Sequence, residues 1–572
     1  MRLMMEQEKK PVERAKWKKQ ILAYLYDFIE QPSVSDSDAE HLGAEWLQET
    51  LKKQPYFQVQ PDFCGSYEIP GDYRKRSIVY GLVKGVTGTA TGQSERTLIL
   101  TGHYDVVGIE EYGALKPLAF QVEKLTEAME DAQLDEESKA DLESGEWLFG
   151  RGTADMKGGL CAGLAVLGQV GEEILEGTFN GQVNVLFMAV PDEESYSAGM
   201  RGAAGLLQNL RKKYNLIYEC LLCLEPNSRD QAGQKQSVYI GSVGKCMPVA
   251  LVQGLKAHVG TCFQGINAVS VLSRFLLKTE VSPQFADVYK GEMCVPPTWL
   301  YLKDQKELYD VSLPYRACGY INMLQFDTTP EQVMEQLKAM AQEAFVDVIG
   351  AMQASCREIA QKAGQQPDLS RIPRVDRCRV LEFSQLQALC REKDETGFVA
   401  YYEKQYEEIR RKIQSGEWNY PQATVEIMKR VLDFADLTEP VMILGFAPPF
   451  YPAFHSDRLP GKTGAGSAYF EKLQSVAIQA GTRLQRYHYF TGISDLSYCG
   501  SCTEYDHTKY YDNTPLWGDL YRVDFEGISA LNIPSILFGP WGKNLHQRTE
   551  RVHIKSLTEE TPETLWAFIN TL

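Results

Sequence analysis

Five short segments of this chain carry residue types that can bind a metal ion and move a proton. Gly102-His103-Tyr104-Asp105 follows the apolar run Leu98 to Thr101, so an imidazole and a carboxylate leave a predicted strand two residues apart. A carboxylate beside a ligating histidine can fix its tautomer and raise its basicity. Gly150-Arg151-Gly152-Thr153-Ala154-Asp155-Met156-Lys157-Gly158-Gly159 is a glycine-rich loop opening a helix, with Asp155 placed to project from it. Val183 to Val190 ends in Pro191-Asp192-Glu193-Glu194, three consecutive carboxylates that repel one another unless a cation joins them. Cys220 to Leu224 ends in Glu225-Pro226-Asn227, and Ser535 to Phe538 ends in a loop that reaches His546.

The elements that position these residues read as an α/β sheet. Short Val-, Ile- and Leu-rich runs at Tyr80 to Lys84, Leu98 to Thr101, Val183 to Val190 and Cys220 to Leu224 have the length and composition of strands covered on both faces. Helices are predicted between them, from Gly158 and from Gly199, and Ser37-Asp38-Ala39-Glu40 is predicted as a capping box opening a helix with Leu42, Trp46, Leu47 and Leu51 on one face. In open α/β sheets ligands bind outside the carboxyl ends of the strands, so the five segments should face one crevice. Two histidines and several carboxylates, without cysteine, suit a hydrolytic Zn²⁺, Co²⁺ or Mn²⁺ site and not a structural thiolate zinc. Taken singly, His103 is more ordinary as a loop residue, Asp155 as a helix cap and the glutamate pair as a solvated loop. Their joint placement at strand ends carries the argument.

Composition excludes several classes. The 572 residues leave room for two to four domains. A net charge of −17, with basic residues scattered, argues against a nucleic-acid partner. Hydrophobic residues at 44% and charged residues at 24% are ordinary for a globular protein. No apolar run approaches the roughly 18 residues of a spanning helix, so no membrane association is expected, and no signal-peptide core can be drawn; the cytoplasm is the expected location. The 13 cysteines form no framework and read as reduced core thiols.

From about Lys245 an α+β order sets in. It comprises a strand Pro248 to Gln253, a helix Asn267 to Lys278, a strand Ala317 to Phe326 and a helix opened by Thr329-Pro330-Glu331. A charged helical stretch then spaces Val399, Tyr402, Tyr406, Ile409 and Ile413 by three and four, as a core stripe or an interface. After Val441 to Gly445 and a proline-rich segment, β/α alternation resumes with a helix near Ala468 to Leu484 and the strand Ser535 to Phe538.

The motifs quoted resemble those of the metallopeptidase and deacylase family that includes glutamate carboxypeptidase, aminoacylase, peptidase T and succinyl-diaminopimelate desuccinylase. Gly102 to Val107 is similar to its first ligand motif, Gly150 to Gly159 to its bridging-aspartate motif, and Asp192-Glu193-Glu194 to its double-glutamate motif. Glu225-Pro226 matches the next ligand position, and Phe538-Gly539-Pro540 with His546 and Glu550 the last histidine segment. Gly254 to Gly260 followed by Gly265 to Val269 resembles the start of its lid. The resemblance implies a zinc-exopeptidase-like α/β catalytic domain with a mostly parallel mixed sheet, formed by residues 1–246 and 452–572. Residues 247–451 are expected as an inserted α+β lid of dimerisation type, enlarged by helices at about 350–440.

It further implies two Zn²⁺ ions, with Co²⁺ or Mn²⁺ as alternatives, bridged by Asp155, His103 and Glu225 completing one site and Glu194 and His546 the other. Glu193 is then the general base, Asp105 orients His103, and His258 donates to the developing oxyanion, in some family members from a partner subunit. The implied substrate is a small peptide or N-acyl amino acid, and the implied assembly a homodimer through the lid. Family members that grip a substrate carboxylate often carry an arginine where this chain has Asn322-Met323-Leu324-Gln325-Phe326, so carboxypeptidase specificity is not implied. The extra length resembles a long branch described as arginine-utilisation proteins. The rival reading is a non-hydrolytic metal- or ligand-binding or scaffold protein that keeps the fold; the competent residues at all five ligand positions and at Glu193 count against it.

Overall fold

The computed structural model of the chain describes residues 2–85, 94–230, 232–502 and 506–572. They form two compact units. The first contains the chain up to Ser242, Phe454–Cys502 and Asp524–Leu572. It is built on an eight-stranded mixed sheet in the order Cys64–Glu68, Ser77–Val83, Asn184–Val190, Arg96–His103, Ile217–Cys223, Ser535–Leu537, Lys235–Tyr239 and Arg483–Tyr487. From Asn184–Val190 to Ser535–Leu537 neighbouring strands are parallel. Four adjacent carboxyl ends therefore emerge on one edge, about 4.8 Å apart from strand to strand. Every residue of Asn184–Val190 is buried, as expected of a strand covered on both faces.

Helix Lys157–Glu176 packs over this sheet and is long and apolar enough to pass for a membrane span, but 72% of that stretch is buried in the core. Gly159 permits the contact: a β-carbon there would lie 2.0 Å from the Leu224 carbonyl oxygen, one residue before Glu225. Two sequence expectations fail locally. The Ser37 capping box does not form, because Ser37 Oγ donates to the Val34 carbonyl within a turn and Glu40, instead of reaching back, faces Arg76. Helix Ala465–Gln479 also stops before Leu484, which belongs to a strand; Gly481 at φ +89° turns the chain so that Arg483–Tyr487 pairs with Lys235–Tyr239.

The second unit has a five-stranded sheet in the order Thr298–Asp304, Arg316–Gln325, Gly244–Gln253, Val441–Tyr451 and Arg379–Glu382. Helices Ala268–Thr279 and Pro330–Lys362 pack together, the latter opened by a complete Thr329/Gln332 capping box. Helices Phe383–Gln414 and Tyr420–Ala435 form the enlargement. Their Tyr402, Tyr406 and Tyr420 hydroxyls donate to the carbonyls of Pro515, Leu516 and Leu520, so the tyrosine stripe faces inward in its own unit.

The boundaries differ from those read in the sequence. The second unit begins at Val243, because Gly244–Gln253 is the middle strand of its sheet, and it also holds residues 506–523, expected in the catalytic domain. Those residues are tied there by Phe446 N–H donating to the Asn513 carbonyl at 2.8 Å and by the Tyr510 ring lying 4.4 Å from that of Phe450. All 13 cysteines are free thiols, most of them buried.

Candidate metal centre

His103 ends its strand, and Glu193 and Glu194 follow the parallel strand beside it. Glu225 follows the strand on the other side. Asp155 and His546 arrive by another route, which the sequence did not reveal. A small sheet pairs Gly542–Lys543 with Arg551–His553 and the latter with Trp147–Phe149, so the loop bearing His546 and the loop bearing Asp155 leave neighbouring strands.

The side chains converge. His103 Nε2 lies 3.1 Å from Asp155 Oδ1, 3.4 Å from Glu225 Oε1 and 3.9 Å from Glu193 Oε2. His546 Nε2 lies 3.1 Å from Asp155 Oδ2 and 3.0 Å from Glu194 Oε2. The ligand atoms of His103, Asp155 and Glu225 fall within 4.8 Å of one another, as do those of Asp155, Glu194 and His546. Those of His103, Glu193 and Glu194 do so as well. His103 is buried while the His546 side chain is 53% exposed, so the centre is open on the His546 side.

His103 Nδ1 faces the Asp105 carbonyl at 2.9 Å, an oxygen that can only accept, so Nδ1 carries the proton and the Nε2 lone pair faces the carboxylates. Asp105 thus orients His103 through its main chain; its carboxylate, 3.7 Å from the ring, is used elsewhere. It accepts the amide hydrogens of Glu193 and Glu194, each at 3.2 Å, and the Ser35 hydroxyl at 2.6 Å. The expected imidazole–carboxylate contact is therefore replaced by a clamp on the double-glutamate turn.

Protonation reports how closely the carboxyls of the cluster are crowded. Burial pushes the Glu194 carboxyl up to about 7, helped by the Asp155 charge and opposed by His546. Burial likewise raises Glu193 well above its ordinary value, with Glu225, Glu194 and Asp495 adding to the effect against the pull of His103. His546 is driven up to about 10 by its hydrogen bonds to Asp155 and Glu194. For Asp155, burial would raise the carboxyl, but hydrogen bonds from both imidazoles hold it below the usual range. Glu194 Oε1 is buried with no hydrogen-bond partner. Carboxylates this crowded, one with an orphaned oxygen, fit a pair of divalent cations, whose oxygen- and nitrogen-rich shell they would supply.

Around the centre, Glu550 accepts the amide hydrogens of Ala154 and Asp155 at 3.2 and 3.1 Å and pairs with Arg151 Nη1 at 2.5 Å. Arg151 also donates to the His546 carbonyl at 3.3 Å, stitching both loops together. Replacing Glu550 with Ala frees the Asp155 main chain and leaves a buried, less compensated guanidinium. Zinc affinity, read by competition with a chromophoric chelator, should fall about 10- to 100-fold. Wild-type affinity in that variant would show that Glu550 does not position Asp155.

Asp495 completes the surroundings. It is fully buried, neither carboxylate oxygen has a hydrogen-bond partner, and burial pushes it up to about 8 beside His103 and Glu225. The sequence signalled it only as a polar residue in a glycine- and serine-bearing turn. His258 lies in the second unit, exposed, its Nδ1 accepting the Gly260 amide hydrogen at 3.0 Å. Its neutral ring therefore carries hydrogen on Nε2, the form able to donate.

Residues 99–442 match the profile of peptidase family M20/M25/M40. The chain belongs to peptidase family M20/M25/M40. The matched span contains His103, Asp155, Glu193, Glu194, Glu225 and His258, and His546 lies beyond it. The protein YqjN of Bacillus subtilis is 31% identical over 561 residues, covering 97% of this chain and 96% of YqjN. RocB of the same organism is 29% identical, covering 93% of this chain and 91% of RocB. The fold is that of solved M20/M25/M40 structures. The aminopeptidase PepT of Bacillus cereus superposes with a TM-score of 0.51 at 12% identity, covering 97% of this chain and 98% of PepT. The di-peptidase Dug1p of Saccharomyces cerevisiae gives 0.52 at 12% identity, covering 98% and 96%.

Proposed function

We propose that this protein is a di-metal hydrolase, zinc being the first choice of metal and Co²⁺ or Mn²⁺ the alternatives, which cleaves an amide bond in a small peptide or N-acyl amino acid. One observation carries the reading: the two oxygens of Asp155 face different imidazoles, His103 and His546, each at 3.1 Å, so one carboxylate is shared by two potential ligand groups. His103 and Glu225 would hold one ion, Glu194 and His546 the other, with Asp155 shared. When bound, the ions would supply Lewis acidity, which lowers the pKa of water toward neutrality and polarises an amide carbonyl.

Glu193 is left free for proton transfer, since the five ligand positions are filled without it. Its main chain is held by the Asp105 carboxylate and its side chain reaches toward His103. Glu193 takes a proton from the attacking water and returns it to the leaving amine. His258 is the proposed donor of an Nε2 hydrogen to the developing oxyanion, from this chain or from a partner subunit. The restriction to small substrates is supported by the di-peptidase Dug1p and the Staphylococcus aureus tripeptidase, which share the fold. The acidic balance favours a cationic substrate over an anionic one. The proposal includes a cytoplasmic location and a homodimer through the second unit, whose edge strand Thr298–Asp304 leaves Leu300 55% exposed.

The test is metal removal. Protein purified without chelator should contain about two transition-metal ions per chain and hydrolyse members of a panel of dipeptides and N-acyl amino acids. Chelation should abolish turnover and added zinc restore it, while light scattering reads the dimer. Fully metal-loaded protein that turns over nothing in the panel would favour the binding-protein reading.

A further inference from the structure

Glu193 and Glu194 are presented by a turn whose backbone is unfavourable. Asp192 sits at φ +67° and Ser197 at φ +51°, in the left-handed region that a Cβ disfavours. Three contacts hold Asp192 there. Its carbonyl accepts the Ser197 amide hydrogen at 2.5 Å, its Oδ2 accepts that of Ala198 at 2.9 Å, and its Oδ1 forms an ion pair with Arg76 Nη1 at 2.5 Å. Both partners of that pair are buried.

The fold places Arg76 for this contact. Strand Ser77–Val83 runs antiparallel to Asn184–Val190, with Val79 opposite Ala189. Extending this register by three residues sets Arg76 opposite Asp192. The guanidinium is itself fixed: Nε and Nη2 donate to the two Asp72 oxygens at 3.1 and 2.8 Å, the Arg76 amide donates to Asp72 at 2.8 Å, and Nη1 also faces Glu40 at 3.3 Å. Three carboxylates thus converge on one cation. Losing it would leave the Asp192 carboxyl buried with no cation against Oδ1, at the residue that precedes Glu193 in the turn.

We propose that Arg76 is a positioning residue for hydrolysis, holding the Asp192 turn that presents Glu193 and Glu194 without touching substrate or metal. The inference rests on the reading of Glu193 as general base. Arg76 acts through a planar fork, two arms on Asp72 and one on Asp192, which a lysine ammonium cannot reproduce.

The experiment uses the full-length, metal-loaded protein. In Arg76→Met, kcat should fall about a hundredfold with KM nearly unchanged, the effect of misplacing a reacting group by about 1 Å. Amide hydrogen exchange should quicken across residues 192–198 and not across the sheet, a readout independent of turnover. Arg76→Lys should fall between wild type and Arg76→Met. If Arg76→Met does not fold, the double variant Arg76→Met/Asp192→Asn removes the charge together with its partner; it should fold and show the same kcat loss and local exchange. A folded Arg76→Met with wild-type kcat, or one whose exchange rises throughout the unit, overturns the inference. Glu193→Gln run in parallel separates the two levels: if it stays fully active, the reading of Glu193 as general base fails, whereas an inactive Glu193→Gln beside a fully active Arg76→Met sinks only the role of Arg76.

Discussion

Glu193→Gln should lower kcat by between about a hundredfold and ten-thousandfold while the protein keeps its metal. The amide matches the carboxylate in shape, so the turn held by Asp105 and Asp192 should persist, and none of His103, Asp155, Glu194, Glu225 and His546 is altered. What disappears is a basic oxygen in a buried place where burial already raises the carboxyl well above its ordinary value, the direction that suits a base working near neutral pH. Steady-state kinetics on the best panel substrate, beside elemental analysis of the same sample, gives the answer. A variant that loses metal as well as activity would make Glu193 a ligand rather than the base, which its place with His103 and Glu194 in a third potential ligand group makes a pointed comparison.

The second large effect is expected at Asp155. Asp155→Ala removes one donor from each of two ligand groups at once, leaving each with a single carboxylate and a single imidazole. Both ions should be lost, from about two per chain to nearly none, rather than one. Added zinc should raise the melting temperature of wild type and leave that of the variant unmoved, because only a native state that binds is stabilised by ligand. A variant retaining one tightly bound ion would show that Asp155 serves one site and that the bridge drawn from its two 3.1 Å contacts is wrong.

Much of this centre was legible because its ligands follow apolar runs of strand length. His103, Glu193, Glu194 and Glu225 could be placed at carboxyl ends without knowing the order of the strands. The supports were not legible, since they act across the chain. Arg151 and Glu550 lie 399 residues apart, and nothing periodic announces their pairing. Asp105 could be given the role of orienting His103 but not the atom that does it, because the choice between its carbonyl and its carboxylate depends on where the double-glutamate turn returns. Glu40 illustrates the same limit: its spacing from Ser37 suggested a local cap, and a distant arginine claimed it. Local signals also missed the end of helix Ala465–Gln479, where Gly481 and pairing with Lys235–Tyr239 outweigh the apolar pattern that continues to Leu484.

The division of the chain between the units bears on how the protein is made. The first unit is assembled from three stretches, and the second takes back residues 506–523 after the chain has already left it once. The loop of Asp155 leans on Arg551–His553, and His546 lies just before that strand. A ribosome that has produced the first 500 residues has therefore made His103, Asp155, Glu193, Glu194 and Glu225, yet neither His546 nor the strand that pairs with Trp147–Phe149, from which the Asp155 loop leaves. Under the proposed di-metal reading, the full ligand set exists only once the last tenth of the chain has been made.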